Sequence, residues 1–337
     1  MVSCKSFYEP REDSSMLERY VRQYAKGKVL DIGTGSGIQA IAAAQNKNVK
    51  SVLATDIQKS AIDYCKKNTK NNKVKFIVSD LFNKIKKNEK FDTIISNPPY
   101  LPQELKLKDL TIEGGKKGYE IIERFLSDVN NFLNPNGIIL LVFSSLTKKE
   151  KVEEFTKNNL LDFEELEKVH IFFEDIYVYL LRKNEFLKKL ENKKISNIKY
   201  LTKGHRGLLF TGFYNNKKIV IKTKNPQSTA IGRVENECNW LKKLNKSNIG
   251  PKLLIIGKGY FAYKYIDGDF IIDYLKKSNK NQVKKTVKNI FNQLLFFNPF
   301  LCNPFFGQRL FHVNFHGFCN NKNNSKHIGQ LFGHFFF

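Results

Sequence analysis

Val29-Leu-Asp-Ile-Gly-Thr-Gly-Ser-Gly37 runs an apolar stretch straight into three glycines at alternate positions. Ile38-Gln-Ala-Ile-Ala-Ala-Ala44 follows, built from good helix formers. Strand, glycine turn and helix in this order open a nucleotide-cofactor-binding half of an open α/β sheet. Gly33, Gly35 and Gly37 permit positive φ and let a ligand approach the backbone closely. The spacing Gly-Thr-Gly-Ser-Gly lacks the third glycine spacing of the dinucleotide fingerprint, and no Gly-Lys-Ser/Thr follows. It therefore fits neither a nicotinamide site nor a P-loop.

The next apolar run, Ser51-Val-Leu-Ala-Thr-Asp56, ends in an acid about 20 residues past the turn. An acid there can accept from both hydroxyls of a ribose, or it can cap the helix that begins near Ile57. A third run, Val74-Lys-Phe-Ile-Val78, leads to Ser79-Asp80-Leu81-Phe82. Asp80 can accept from an adenine amino group or serve as a turn acid. A fourth, Phe91-Asp-Thr-Ile-Ile-Ser96, is stopped by Asn97-Pro98-Pro99-Tyr100. Two prolines after a polar Asn end the strand and fix the backbone beyond it. A neutral amide and free carbonyls then sit at the carboxyl edge of the sheet, where such folds bind ligands. The Asn97 side-chain oxygen and the Pro98 carbonyl can accept the two hydrogens of a planar NH2 group, with Tyr100 over its flat face. A helix near Gly118 to Phe132 and a strand from Gly137 to Phe143 come next. Strands alternating with helices predict a parallel, doubly wound, Rossmann-like α/β domain.

The order and spacing of these elements resemble the HemK-like S-adenosylmethionine-dependent methyltransferases, which methylate a glutamine side-chain nitrogen in translation release factors. The resemblance covers residues 7 to 183. It includes Tyr8-Glu9-Pro10-Arg-Glu12-Asp13-Ser14, similar to the archaeal and eukaryotic branch that lacks a long helical N-terminal domain. It also includes Glu113-Gly-Gly-Lys-Lys-Gly-Tyr-Glu120, typical of the segment after Asn-Pro-Pro-Tyr. The resemblance implies S-adenosyl-L-methionine as cofactor. It would be held by Asp31 and the turn Gly33, Gly35 and Gly37 at its methionine part and by Asp56 at the ribose. Asp80 and Leu81 would flank the adenine, and Asp13 and Ser14 would close over it. Asn97, Pro98, Pro99 and Tyr100 would bind the target, with Asn97, Pro98 and Tyr100 acting in the chemistry. It further implies a release factor as protein substrate and a small zinc-binding activator subunit. No metal is expected in the site.

Composition shifts near residue 184. Residues 1–190 carry 32 Lys/Arg and 26 Asp/Glu, whereas residues 191–337 carry 25 and 6, so most of the +25 net charge lies in the second part. Abundant Lys, Asn and Ile throughout point to an AT-rich genome, which weakens a nucleic-acid reading of that charge. Tyr200-Leu-Thr-Lys-Gly-His-Arg-Gly207 precedes a strand, an Asn215-Asn216 turn and Lys218-Ile-Val-Ile-Lys222. A helical stretch from Val234 to Leu244 and two strand-like segments, Lys252–Ile256 and Tyr260–Ile266, follow. This resembles the N-terminal lobe of the RIO-like or atypical kinases of archaea. It implies an α+β kinase-like lobe with Gly204, Gly207, Lys222 and Glu237 at an ATP site. After Asp273 the chain has no Asp or Glu, so the acids that phosphoryl transfer needs in a second lobe are missing. The lobe is read as truncated and kinase activity is not expected.

The expected organisation is a methyltransferase domain over 1–184, a connector over 185–197, the kinase-like lobe over 198–294 and an atypical tail over 295–337. The tail is crowded with Phe and Asn and holds four of the six histidines, and we expect a shifted reading frame from about Leu295. The spacing of His312, His316 and His327 with Cys302 and Cys319 matches no common zinc pattern. No secretion signal or membrane span is read, and the five scattered cysteines suit a reducing cytoplasm. Two alternatives stand beside amide methylation. One is N6-methylation of adenine in DNA or RNA, whose exocyclic amine is equally planar. The other is a nucleotide- or partner-binding pseudokinase module as the main functional part.

Overall fold

The computed structural model describes residues 9–102, 113–204, 207–226, 228–229, 232–268 and 271–296. In chain order the first region contains α1 (Glu12–Tyr24), β1 (Gly27–Ile32), α2 (Ile38–Gln45), β2 (Val49–Asp56), α3 (Lys59–Asn68), β3 (Val74–Val78) and β4 (Phe91–Ser96). Short strands β5 (Leu101–Pro102) and β6 (Glu113–Gly115) precede α4 (Glu120–Val129) and β7 (Leu133–Ser144). Then come α5 (Lys149–Asn158), β8 (Leu161–Ile171) and β9 (Glu174–Lys183).

Seven strands form one sheet in the order β3-β2-β1-β4-β7-β9-β8. The first five are parallel, and β9 and β8 are antiparallel. The strand order reverses at β1, which has β2 on one side and β4 on the other. Register levels the carboxyl ends there: Ile32 pairs with both Thr55 and Ser96, and Asp56 pairs with Val78. Alternate residues of each strand face opposite layers. Val29 joins Leu17, Val21, Ala40, Ile62 and Cys65 in one core, and its neighbour Leu30 joins Ile122, Phe125, Leu126 and Phe143 in the other. This is the doubly wound α/β domain expected from the sequence.

The chain continues through α6 (Glu185–Asn192), β10 (Ser196–Lys203), β11 (Gly207–Tyr214), β12 (Lys217–Lys224), α7 (Arg233–Asn245), β13 (Leu253–Gly257) and β14 (Tyr260–Lys264). These strands form an antiparallel sheet in the order β10-β11-β12-β14-β13. Asn215 and Asn216, both at positive φ (48° and 59°), close the β11–β12 hairpin, where Asn tolerates the left-handed turn its twist demands. On one face Leu187 and Leu190 of α6 pack with Phe210, Ile219, Ile221 and Ala262. On the other, Val234 and Cys238 of α7 cover Phe261.

The second sheet is tied to the first region by several contacts. Leu160 enters the α6-side core. Lys199 pairs with Asp128 at 2.8 Å, and Asn131 Nδ2 donates to Asn197 Oδ1 at 3.2 Å. At the junction the buried Lys183 ammonium meets Glu191 at 2.5 Å. Burial lowers the Lys183 pKa against the opposing pull of Glu191.

Both sheets fall within one contact unit, residues 1–265, and Ile266 onward forms another that contains α8 (Ile271–Lys277) and α9 (Lys280–Phe296). Among the described residues no helix is long and apolar enough to cross a membrane. Most of the tail, including His312, His316 and His327, lies outside the described residues, as does the segment 103–112.

Candidate active site

The site is assembled at the level carboxyl ends of β1, β2, β3 and β4. Asp31, next to last in β1, is 1% exposed. Its Oδ2 accepts from the Thr34 hydroxyl at 2.6 Å. Burial, and then the nearby Asp56 charge, push its pKa up to about 7 against the pull of the Thr34 hydrogen bond. The glycine turn is pinned to β2, because the Gly33 and Thr34 amides both donate to the Thr55 carbonyl at 2.9 Å. Gly33, Gly35 and Gly37 all take positive φ, at 76°, 53° and 85°. A Cβ on Gly37 would lie 3.0 Å from Cys65 Sγ, so a side chain there must push the Cys65 thiol aside.

Asp56 closes the turn from the neighbouring strand. Its Oδ2 accepts from the Gly35 amide and its Oδ1 from the Gln58 amide, each at 2.9 Å. The N-cap of α3 is Gln58, so Asp56 sits ahead of the helix, with its carboxylate on the glycine turn. Burial raises its pKa too. Two acids with raised pKa values thus face one glycine turn. Beyond β3, Asp80 Oδ2 pairs with Arg124 at 2.7 Å, and Leu81 adopts φ 44°.

Asn97 follows β4 directly, and a Cβ built on Gly33 would stand 3.8 Å from the Asn97 carbonyl oxygen. Asn97 Nδ2 donates to Asp13 Oδ2 at 3.0 Å and to Ser14 Oγ at 3.3 Å, and the Tyr100 hydroxyl donates to Asp13 Oδ2 at 3.0 Å. Asp13 and Ser14, on the first turn of α1, are 4% and 2% exposed. Pro98 is buried and Pro99 half-buried.

The sequence reading missed four supports of this arrangement. Gln39 of α2 donates from Nε2 to the Ser14 carbonyl at 2.8 Å, and its Oε1 is buried without a partner. Cys65 donates to the Gly35 carbonyl at 3.3 Å, and burial pushes its thiol up to about 12. Arg124 engages Asp80. Gly114 and Gly118 pack directly on the Asn-Pro-Pro-Tyr backbone: a Cβ on Gly114 would fall 2.7 Å from the Pro99 carbonyl, and one on Gly118 would fall 2.8 Å from that of Tyr100. Only these two glycines left a trace in the sequence, as part of the Glu113–Glu120 signature.

The residues singled out on the second sheet form a separate constellation. Lys222 of β12 is 6% exposed and forms an ion pair with Glu237 of α7. The Gly204 amide donates to the Gly207 carbonyl at 2.9 Å, and a Cβ on Gly207 would lie 3.2 Å from Lys222 Cε. His170, at the end of β8, is exposed and contacts Asp175 at 2.9 Å.

The donor set fits S-adenosylmethionine: a buried acid suits its ammonium group, and an acid at the neighbouring strand end suits its ribose diol.

The family model described as the methyltransferase small domain matches residues 12–172. The chain is 38% identical over 155 residues to a putative protein N5-glutamine methyltransferase of Methanocaldococcus jannaschii, covering 44% of this chain and 77% of that one. It is 37% identical over 125 residues to a release factor glutamine methyltransferase of Streptococcus pneumoniae, covering 34% of this chain but only 44% of the bacterial protein. Among solved structures, that of the Encephalitozoon cuniculi (E. cuniculi) Mtq2-Trm112 complex aligns over 53% of this chain and 99% of its own, at 24% identity and a TM-score of 0.44. With the cofactor turn, the acids at the strand ends and Asn-Pro-Pro-Tyr in register, the chain belongs to the protein N5-glutamine methyltransferase family of S-adenosylmethionine-dependent enzymes.

Proposed function

We propose that this enzyme methylates the side-chain amide nitrogen of a glutamine in a translation release factor. One observation carries the reading: Asn97 and the glycine turn stand on adjacent, register-matched strand ends, Ile32 beside Ser96. An amide bound by Asn97 is thereby brought alongside the cofactor turn.

An amide nitrogen is a poor nucleophile because its lone pair is delocalised. The Asn97 side-chain oxygen and the Pro98 carbonyl would accept from the two N–H bonds of the target, returning electron density to nitrogen and stabilising the positive charge that develops there until one of those protons leaves to solvent and the neutral N-methyl amide remains. Tyr100 would cover the flat face. When bound, S-adenosylmethionine supplies an electrophilic methyl group on a sulfonium. Asp31 would hold its ammonium, Asp56 its ribose, and Asp80 and Leu81 its adenine. Holding the target nitrogen against that methyl would supply the proximity effect.

A small zinc-binding activator subunit belongs to the same reading. β3 is the outermost strand of its sheet; its last residue, Val78, and Ile57 just past the end of β2 are exposed at 42% and 58%, an apolar edge that such a subunit can cover. A cytoplasmic location suits a release-factor substrate.

A second reading concerns the region 198–294. The ion pair of the buried Lys222 with the half-buried Glu237, bridging strand and helix, supports a kinase-like lobe in which ATP phosphates would meet Lys222. Binding of ATP by the full chain, lost in Lys222→Ala, tests it. The main test is transfer of labelled methyl to a release factor carrying Gly-Gly-Gln, compared with adenine-containing DNA and RNA, with the activator present and Asn97→Ala as control. Label on glutamine supports the reading; label on adenine replaces it.

A further inference from the structure

We infer that Asp13 is a positioning residue that sets the orientation of the Asn97 amide, so that the Asn97 carbonyl oxygen, rather than its NH2 group, faces the target nitrogen. The inference rests on the amide-methylation reading above. An amide has a donor end and an acceptor end of nearly equal shape. If Asn97 were turned over, its NH2 would meet the NH2 of the target, donor against donor. One of the two acceptors that prepare the nucleophile would be lost.

The surroundings decide the matter. A carboxylate oxygen accepts, so the end of Asn97 that lies 3.0 Å from Asp13 Oδ2 is the donating one. Ser14 Oγ, 3.3 Å from the same nitrogen, takes its second hydrogen. Both hydrogens of Nδ2 are thus directed at α1, and Oδ1 is turned to the opposite side. The Tyr100 hydroxyl donates to the same Asp13 oxygen at 3.0 Å, so one carboxylate fixes both polar side chains of the Asn-Pro-Pro-Tyr segment. Asp13 is itself held: its Oδ1 accepts from the Ser14 amide at 2.6 Å, and the Ser14 carbonyl accepts from Gln39 on the cofactor-side helix at 2.8 Å. At 4% exposure it acts with little competition from water. The sequence reading had Asp13 and Ser14 close over the cofactor; the geometry points to the target side.

The test uses the full chain and compares Asp13→Ala with Asp13→Asn. Three quantities are read: cofactor affinity by calorimetry, kcat and KM on the protein substrate, and the side-chain 15N–1H2 signal of Asn97, assigned with Asn97→Asp. For Asp13→Ala we expect kcat to fall at least about 30-fold while cofactor Kd stays within about threefold. The Asn97 signal should shift toward that of a solvated amide. Asp13→Asn keeps one acceptor oxygen but sets its NH2 against either the Ser14 amide or the Asn97 and Tyr100 donors, so its kcat should fall between that of Asp13→Ala and wild type and its Asn97 signal should move. Cofactor affinity falling in step with kcat would overturn the inference, as would an unchanged kcat or an unmoved Asn97 signal. A wild-type chain that methylates no amide sinks the functional reading instead, and the Asn97 signal still judges Asp13. Should the alanine variant fail to fold, the Asn97 signal and kcat of Asp13→Asn decide: neither moving from wild type overturns the inference.

Discussion

The two sheets treat buried charge in opposite ways. At the first, Asp31 and Asp56 are drawn together on a glycine turn, and burial raises the pKa of both. At the second, the buried Lys222 already has Glu237, and at the junction the buried Lys183 already has Glu191. A buried charge without a counterion is costly, and a protein keeps one where a ligand completes it; a buried pair is complete as it stands. The contrast separates two buried acids that face a glycine turn from buried cations that each have an acid partner within the fold.

The sharpest way to break the contrast is at Asn97. Asn97→Ala should lower kcat by about 1,000-fold or more with cofactor affinity little changed, because it removes the acceptor of the target together with the hydrogen bonds that tie this side chain to Asp13 and Ser14. A mere tenfold loss would mean that Asn97 does not carry the amide chemistry.

Gly114→Ala should come next, at roughly 10- to 100-fold in kcat. Its Cβ would lie 2.1 Å from the Gly118 carbonyl and 2.7 Å from that of Pro99, so the Asn-Pro-Pro-Tyr backbone must shift. A crystal structure of the variant would show that shift directly.

A pH effect follows from Asp31. Burial holds the Asp31 pKa at about 7 in the folded protein, above the ordinary carboxylate value of 3.8. The folded state therefore holds more protons in that window, and the contribution of Asp31 to stability falls as pH rises through it. Cofactor binding runs the other way, because an ammonium partner favours the charged carboxylate. Affinity should be about five- to tenfold tighter at pH 7.5 than at pH 6, and Asp31→Asn should flatten the profile. Calorimetry across that range measures both.

Lys222→Met should have the smallest effect on catalysis. It leaves Glu237, whose side chain is 34% exposed, without its partner, so it should cost roughly 1–2 kcal/mol in denaturant unfolding. Methyl transfer should stay within about twofold of wild type. A large loss would show that the two sheets cooperate in catalysis, against the contrast drawn above.

Much of this was legible in the sequence because it is local. β1 and α2 lie where the apolar run, glycines and alanines put them, and β4 spans Phe91–Ser96 up to the Asn that stops it. The Asn215-Asn216 turn and the buried Lys222 follow from pattern in the same way. What escaped is long-range. Asp13 meets Asn97 across 84 positions in the chain, and only the packing of α1 on the sheet brings them together. Arg124 reaches Asp80 for the same reason. The need for glycine at 114 and 118 arises from the closeness of two backbones, which no local pattern encodes. The antiparallel return of β9 and β8 is set by the last sheet pairings.

The most direct test of the central claim is mass spectrometry of a release factor after incubation with the enzyme, S-adenosylmethionine and the activator. A single added methyl on the glutamine of Gly-Gly-Gln, absent with Asn97→Ala, is the predicted result. An unmodified glutamine in the presence of bound cofactor, or a methyl carried elsewhere, would contradict it.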